Sequence, residues 1–261
     1  MEHIKKTLES QGLKNSGPVS QSQLIYNCPI CQDSRWVHPR LADGKVDYSR
    51  LVSCRCQADR IKRESQEHYL RYCKLPANTG HMTFDNFKDY GEKDLKNAYK
   101  LSRSLAEGEK GVLWLTLLAE NDRSKTHLAV AICRRWIERG FVARFAVTSE
   151  LLDELRDSFD MEGEYSFHWK IKMFYEVSLL VLDELGMGKY TDWGREQIFK
   201  IVNHRANAGL PLVVTSNNEI DKMFGEHKEC ELDNARLESR LQRESWCHVA
   251  IIGGPAHMMR K

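Results

Sequence analysis

Leu117–Ala131 reads LLAENDRSKTHLAVA. An apolar run ends at Leu118, a short loop occupies residues 119–124, and Lys125-Thr126-His127 opens a second apolar run. A strand that passes into a helix through a loop closing in Lys-Thr has the pattern of a phosphate-binding loop. Yet Ala119, Asp122 and Ser124 stand where such a loop carries glycine. Glycines there permit the positive φ angles that aim successive N–H groups at phosphates, so their loss predicts a geometric defect.

The surrounding chain alternates. GVLWLTLL reads as a buried strand, SKTHLAVAICRRWIERG as a helix closed by Gly140, FVARFAV as a second strand, and SELLDELRDSF as a helix with Ser149 as N-cap. VSLLVLDEL is a third strand, and TDWGREQIFKIVNHRANAG a helix capped by Thr191 and ended by Gly209. LPLVVTSNN and SWCHVAIIGG supply a fourth and a fifth strand. Alternation of this kind predicts an α/β fold with a mostly parallel sheet flanked by helices. Ligands in such sheets sit beyond the strand C-termini. Three polar groups fall there: residues 119–126, Asp183-Glu184, and Thr215-Ser216-Asn217.

Ahead of this region lie two close cysteine pairs, Cys28/Cys31 in NCPIC and Cys54/Cys56 in SCRCQ. Each short turn presents two sulfurs, and four thiolates close a tetrahedral shell, so a structural zinc knuckle is expected. Disulfides are one alternative, and replacement of a thiolate by His38 another. Cys73, Cys133, Cys230 and Cys247 are scattered and read as small core hydrophobes. The polar stretch NSGPVSQSQ makes the first residues a mobile arm, and QADRIKRESQEHYLRYCKL reads as a helix ending near Pro76. The expected organisation is an arm over 1–23, a zinc-binding domain over 24–75, a linker with a leading helix over 76–110, and the α/β domain over 111–261.

Residues 1–75 carry 13 Lys/Arg against 8 Asp/Glu, leaving 26 against 29 in the rest, so the front is basic. That is a mild pointer to nucleic acid or an acidic protein surface. Hydrophobic residues make up 41% of the chain, enough for a sizeable core. No apolar run approaches the ~20 residues of a membrane span, and MEHIKKTLES lacks the apolar segment of a signal peptide, so a cytoplasmic location without membrane contact is expected.

In order and spacing these motifs resemble the DnaC/DnaI-type replicative helicase loaders, which are AAA+ ATPases, with the transposition helper IstB as a close cousin. The resemblance covers about residues 24–261. LLVLDELG is similar to the Walker B strand, VVTSNN to sensor 1, ARLESRLQ to the arginine-finger box and HMMRK to the place of sensor 2. It implies a site for ATP and magnesium. Ala119, Glu120, Asn121, Asp122, Arg123, Ser124, Lys125 and Thr126 would form the phosphate loop, with Thr126 and Asp183 holding magnesium. Glu184 would serve as general base, and Asn217 would orient the attacking water. Arg240, with Arg236 as its neighbouring alternative, would reach the nucleotide of an adjacent subunit, and Arg260 the phosphates of its own.

The same resemblance implies a protein of DNA replication that binds single-stranded DNA, self-associates through AAA+ interfaces and engages a DnaB-type hexameric helicase, gripped by the zinc-bearing front end. Hydrolysis of ATP is placed in doubt by the replaced glycines. Two other functions compete. One is a nucleotide-independent adaptor; the other is an IstB-like helper that coats duplex DNA and engages a transposase. The cysteine front end favours the loader, being a feature of that branch.

Overall fold

The structure is a computed structural model that describes residues 26–242 and 245–253. The expected arm over 1–23 and Arg260 lie outside the described residues. By internal contacts the chain divides into residues 1–61 and 62–261.

The first unit is small. Two short antiparallel strands, β1 (Trp36–Val37) and β2 (Val52–Ser53), pair Trp36 with Ser53 and Val37 with Val52. Cys28 and Cys31 lie in the turns before β1, while Cys54 and Cys56 follow β2 at the start of helix α1 (Arg55–Cys73). Among residues 26–61 only Cys31 and Cys54 are buried, while Ile30, Trp36 and Leu51 stay exposed, so the segment needs a staple other than a core.

The second unit contains α2 (Lys93–Glu107), β3 (Trp114–Leu118), α3 (Lys125–Glu138), β4 (Ala143–Val147), α4 (Thr148–Arg156), α5 (Phe167–Glu176), β5 (Leu179–Asp183), α6 (Asp192–Ala208), β6 (Leu212–Ser216), α7 (Glu231–Leu241) and β7 (Cys247–Ile251). The five strands from β3 to β7 form one parallel sheet in the order β4-β5-β6-β3-β7. Every residue of β3, β5 and β6 is buried, the polar Thr116, Asp183, Thr215 and Ser216 included, as expected when helices cover both faces of a mostly apolar sheet. Strand alternation sorts the side chains. Leu115, Leu117, Val181 and Val213 pack with α2 and α3, whereas Trp114, Leu118, Leu180, Leu182, Leu212 and Val214 pack with α4 to α7.

The expected helix ends hold at α6, where the Thr191 side chain accepts from the Gly194 N–H and Gly209 takes a left-handed conformation at φ 64°. They fail at α4. Its N-cap is Val147, not Ser149, because Thr148 already lies in the helix, with its hydroxyl donating to the Asp183 carbonyl at 2.9 Å on the adjacent strand. Ser149 is then the exposed second residue of the helix. Helix α5, absent from the sequence reading, is capped by Ser166, which accepts from the Trp169 N–H.

Candidate functional site

The loop between β3 and α3 keeps the bends of a phosphate cradle without its glycines. Asp122 and Ser124 sit at φ 57° and 64°, in the left-handed region. Each costs on the order of 1–3 kcal/mol, less for Asp, whose short polar side chain tolerates that region better. Ala119 differs from the expectation. It is absent from the positive-φ positions, and buried, with its N–H donating to the Ser216 carbonyl at 3.1 Å. The strain expected at three positions therefore falls on two.

Lys125 opens α3 and is buried, its ammonium donating to the carbonyls of Ala119 and Glu120 at 2.7 Å each. Burial holds its pKa below the usual lysine range, partly offset by the Asp183 carboxylate. Arg123 pairs with Glu120 at 2.8 Å and reaches the Ile252 carbonyl at 3.3 Å, which ties the loop crest to the residue after β7. Asp122, Ser124, Lys125 and Thr126 line a cleft of about 280 Å³ whose other wall is His81 and Met82. Sequence reading missed that wall. Its signal was the irregular connection PANTGHMTFDNFKDY, whose unusual length marks a loop with a task.

Asp183 ends β5 nearly fully buried, with its carboxylate 3.3 and 3.4 Å from the Thr126 hydroxyl and accepting a further bond from the Thr215 hydroxyl. Burial raises its pKa, and its hydrogen bonds with Thr215 and Thr126 counter part of that rise. A hydroxyl and a carboxylate at this separation are hard oxygen donors, the set that suits magnesium. Glu184 is exposed beside Asp183, with a left-handed backbone at φ 57°. Asn217 follows β6, and its amide donates to the Asn121 side chain in the loop and lies 3.2 Å from Met187 Sδ. Lys125, Thr126, Asp183 and Asn217 thus converge on one strand-end region from three segments.

Two arginines sit apart from this network of bonds. Arg240 on α7 donates through Nε to Asn203 on α6 at 2.9 Å, and exposed Arg236 lies 3.6 Å from Asp233. A larger cavity, about 600 Å³, is lined by residues of α1 and α5 together with Val142 and Ser178, which precede β4 and β5. That places it at the strand N-terminal end, away from the residues above.

In the first unit the sulfurs of Cys28, Cys31, Cys54 and Cys56 all lie within 4.8 Å of one another, with Cys28 3.9 Å from Cys54 and Cys31 3.5 Å from Cys56. Tetrahedral zinc with bonds of about 2.3 Å places sulfurs about 3.8 Å apart, so the spacing fits one ion. All four thiols are free of disulfides. His38 stands outside the cluster, its Nδ1 2.8 Å from the Arg50 carbonyl. Backbone N–H groups of Cys31 and Ile30 aimed at Cys28 lower its pKa to about 7, while the neighbouring thiols, Cys31 first, push Cys56 up to about 12, so Cys28 gives up its proton before Cys56.

Among the described residues no helix is long and apolar enough to cross a membrane. Comparison with known proteins agrees with the geometry. An insertion-sequence ATP-binding protein of Mycobacterium tuberculosis is 28% identical over 236 residues, covering 88% of each chain. The replicative helicase loader DnaC of Escherichia coli is 23% identical over 159 residues, 61% of this chain and 64% of the loader. The crystal structure of DnaI superposes with a TM-score of 0.58 at 19% identity, covering 70% of this chain and 94% of that one, which shows a shared fold. The sequence profile of the IstB-like ATP-binding proteins matches residues 40–261, and the chain belongs to that family, as an AAA+ protein of the IstB/DnaC type.

Proposed function

We propose that this protein loads a hexameric replicative helicase onto single-stranded DNA, using an AAA+ site whose grip on ATP is weakened by its phosphate loop. The observation that carries the loader reading is the four-cysteine cluster at the front of an AAA+ unit. Zinc held by Cys28, Cys31, Cys54 and Cys56 folds that front end, which presents the surface for the helicase. The basic excess before residue 76 suits contact with nucleic acid or an acidic partner.

At the ATP site, Lys125 contacts the β- and γ-phosphates, and its lowered pKa is restored by their charge. Thr126 and Asp183 would hold magnesium, which would neutralise charge on the phosphates. Glu184 polarises the attacking water and Asn217 orients it, once the Asn121 contact yields. Arg240 turns to a neighbouring subunit's nucleotide only after releasing Asn203. Strain at Asp122 and Ser124, with a carboxylate in the cleft, makes hydrolysis slow or absent.

Size-exclusion chromatography of the purified protein with the replicative helicase of its host tests this reading. Co-elution is expected; failure to form a complex in the presence of zinc and ATP overturns it. A second reading, a transposition helper, is favoured by the 28% identity to an insertion-sequence protein over 88% of both chains. It predicts a complex with duplex DNA and a transposase in place of the helicase.

A further inference from the structure

The hydroxyl of Thr215 lies where two functions meet. It donates to Asp183 Oδ1 and accepts the N–H of Glu184 at 3.0 Å, and the residue is fully buried. A hydroxyl has a single proton, so donation to Asp183 leaves only its lone pairs for Glu184, and the direction of both bonds is set. Thr215 is not among the residues that line the cleft, and both partners of its hydroxyl belong to the neighbouring segment.

The rest of the β6 end grips the same segment further on. The Leu185 N–H donates to the Thr215 carbonyl at 2.9 Å, the Ser216 hydroxyl to the Leu185 carbonyl, and the Asn218 amide to the Gly186 carbonyl at 2.9 Å. From the other side the Thr148 hydroxyl binds the Asp183 carbonyl. Residues 183–186 are thereby tied at each position, which allows Glu184 to hold a left-handed backbone at φ 57° that a glutamate otherwise avoids. That backbone turns the chain sharply after buried Asp183 and leaves Glu184 exposed beside it.

We infer that Thr215 is a positioning residue: its hydroxyl holds the Asp183 carboxylate and the Glu184 backbone in the orientation that magnesium and the attacking water require. The inference rests on the ATP-site reading above. With Thr215 bound to Oδ1, the second oxygen, Oδ2, is left to Thr126 and the cation. Loss of a hydrogen bond to a charged group corresponds to roughly tenfold or more in an equilibrium.

Thr215→Val keeps the shape and removes the hydroxyl; Thr215→Ser restores it, and Thr215→Ala substitutes if the valine variant does not fold. ATP affinity is measured with magnesium and with chelator. The ratio of the two affinities is expected to fall about tenfold in Thr215→Val and to recover in Thr215→Ser, with the metal-free affinity unchanged. In parallel, amide hydrogen exchange should show Glu184 losing protection in Thr215→Val while Leu185, bonded to a backbone carbonyl, keeps it. A valine variant that matches the parent in either measurement overturns the inference. If the parent chain binds no ATP, the function reading fails separately, and exchange at Glu184 alone decides the role of Thr215.

Discussion

Asp122 and Ser124 carry the main departure of this loop from its relatives' pattern, and backbone angle separates their cost from that of Ala119. Restoring glycine at Asp122 removes both a left-handed side chain and a carboxylate from the cleft; at Ser124 it removes strain alone. The loop holds both angles without a ligand, so Ser124→Gly should raise stability by about 1 kcal/mol and leave ATP affinity nearly unchanged, whereas Asp122→Gly also removes a carboxylate and should tighten ATP binding about tenfold. Ala119→Gly should change affinity by less than about threefold, since Ala119 is not among the strained positions. Titration with a fluorescent ATP analogue measures affinity in all three and urea denaturation their stability; equal gains in affinity at the three sites, or no gain in stability in Ser124→Gly, would refute the assignment of strain. Much of this was readable from the glycine pattern, which marked the three positions but could not say which of them turn left-handed. Nor could it show the Asn121–Asn217 contact, whose partners are brought together only by the pairing of β3 with β6.

Among elements, α6 and α4 make a controlled pair. Thr191 caps α6 through its side chain, so Thr191→Ala should lower stability by about 1 kcal/mol in urea denaturation. Ser149 is exposed inside α4 and caps nothing, so Ser149→Ala should stay within about 0.5 kcal/mol of the parent. A comparable loss in both would show that Ser149 has a role the helix start does not explain. Both residues precede an acidic helix turn in the same way, so local chemistry alone could not tell them apart. What decides is Thr148, drawn into the helix by its bond to β5. Strands were easier to place, because β3, β5 and β6 are mostly apolar and buried along their whole length, with no polar face to assign. Helix α5 went unread, although Ile171 and Phe174 form its buried face behind the Ser166 cap.

At the scale of the whole molecule, the two units should respond differently to loss of metal. Chelator under reducing conditions is expected to melt residues 26–61, seen as collapse of their amide dispersion, while the thermal transition of the sheet-bearing unit persists, because neither core cluster contains one of the four cysteines. Metal analysis should give one zinc per chain, falling to near zero in Cys28→Ser with Cys54→Ser. A parent chain purified without zinc yet fully dispersed would refute the role of the cluster. The order β4-β5-β6-β3-β7 carries one more consequence. The strand that ends in the cradle, β3, is synthesised first of the five, but its two neighbours are β6 and β7, the last to be made. Trp114 must wait for Leu212, 98 residues on, on one side and for Cys247, 133 residues on, on the other. During translation the ATP cradle therefore cannot assemble until residue 251 has left the ribosome, and a product terminated before β7 should be blind to nucleotide whatever its loop sequence.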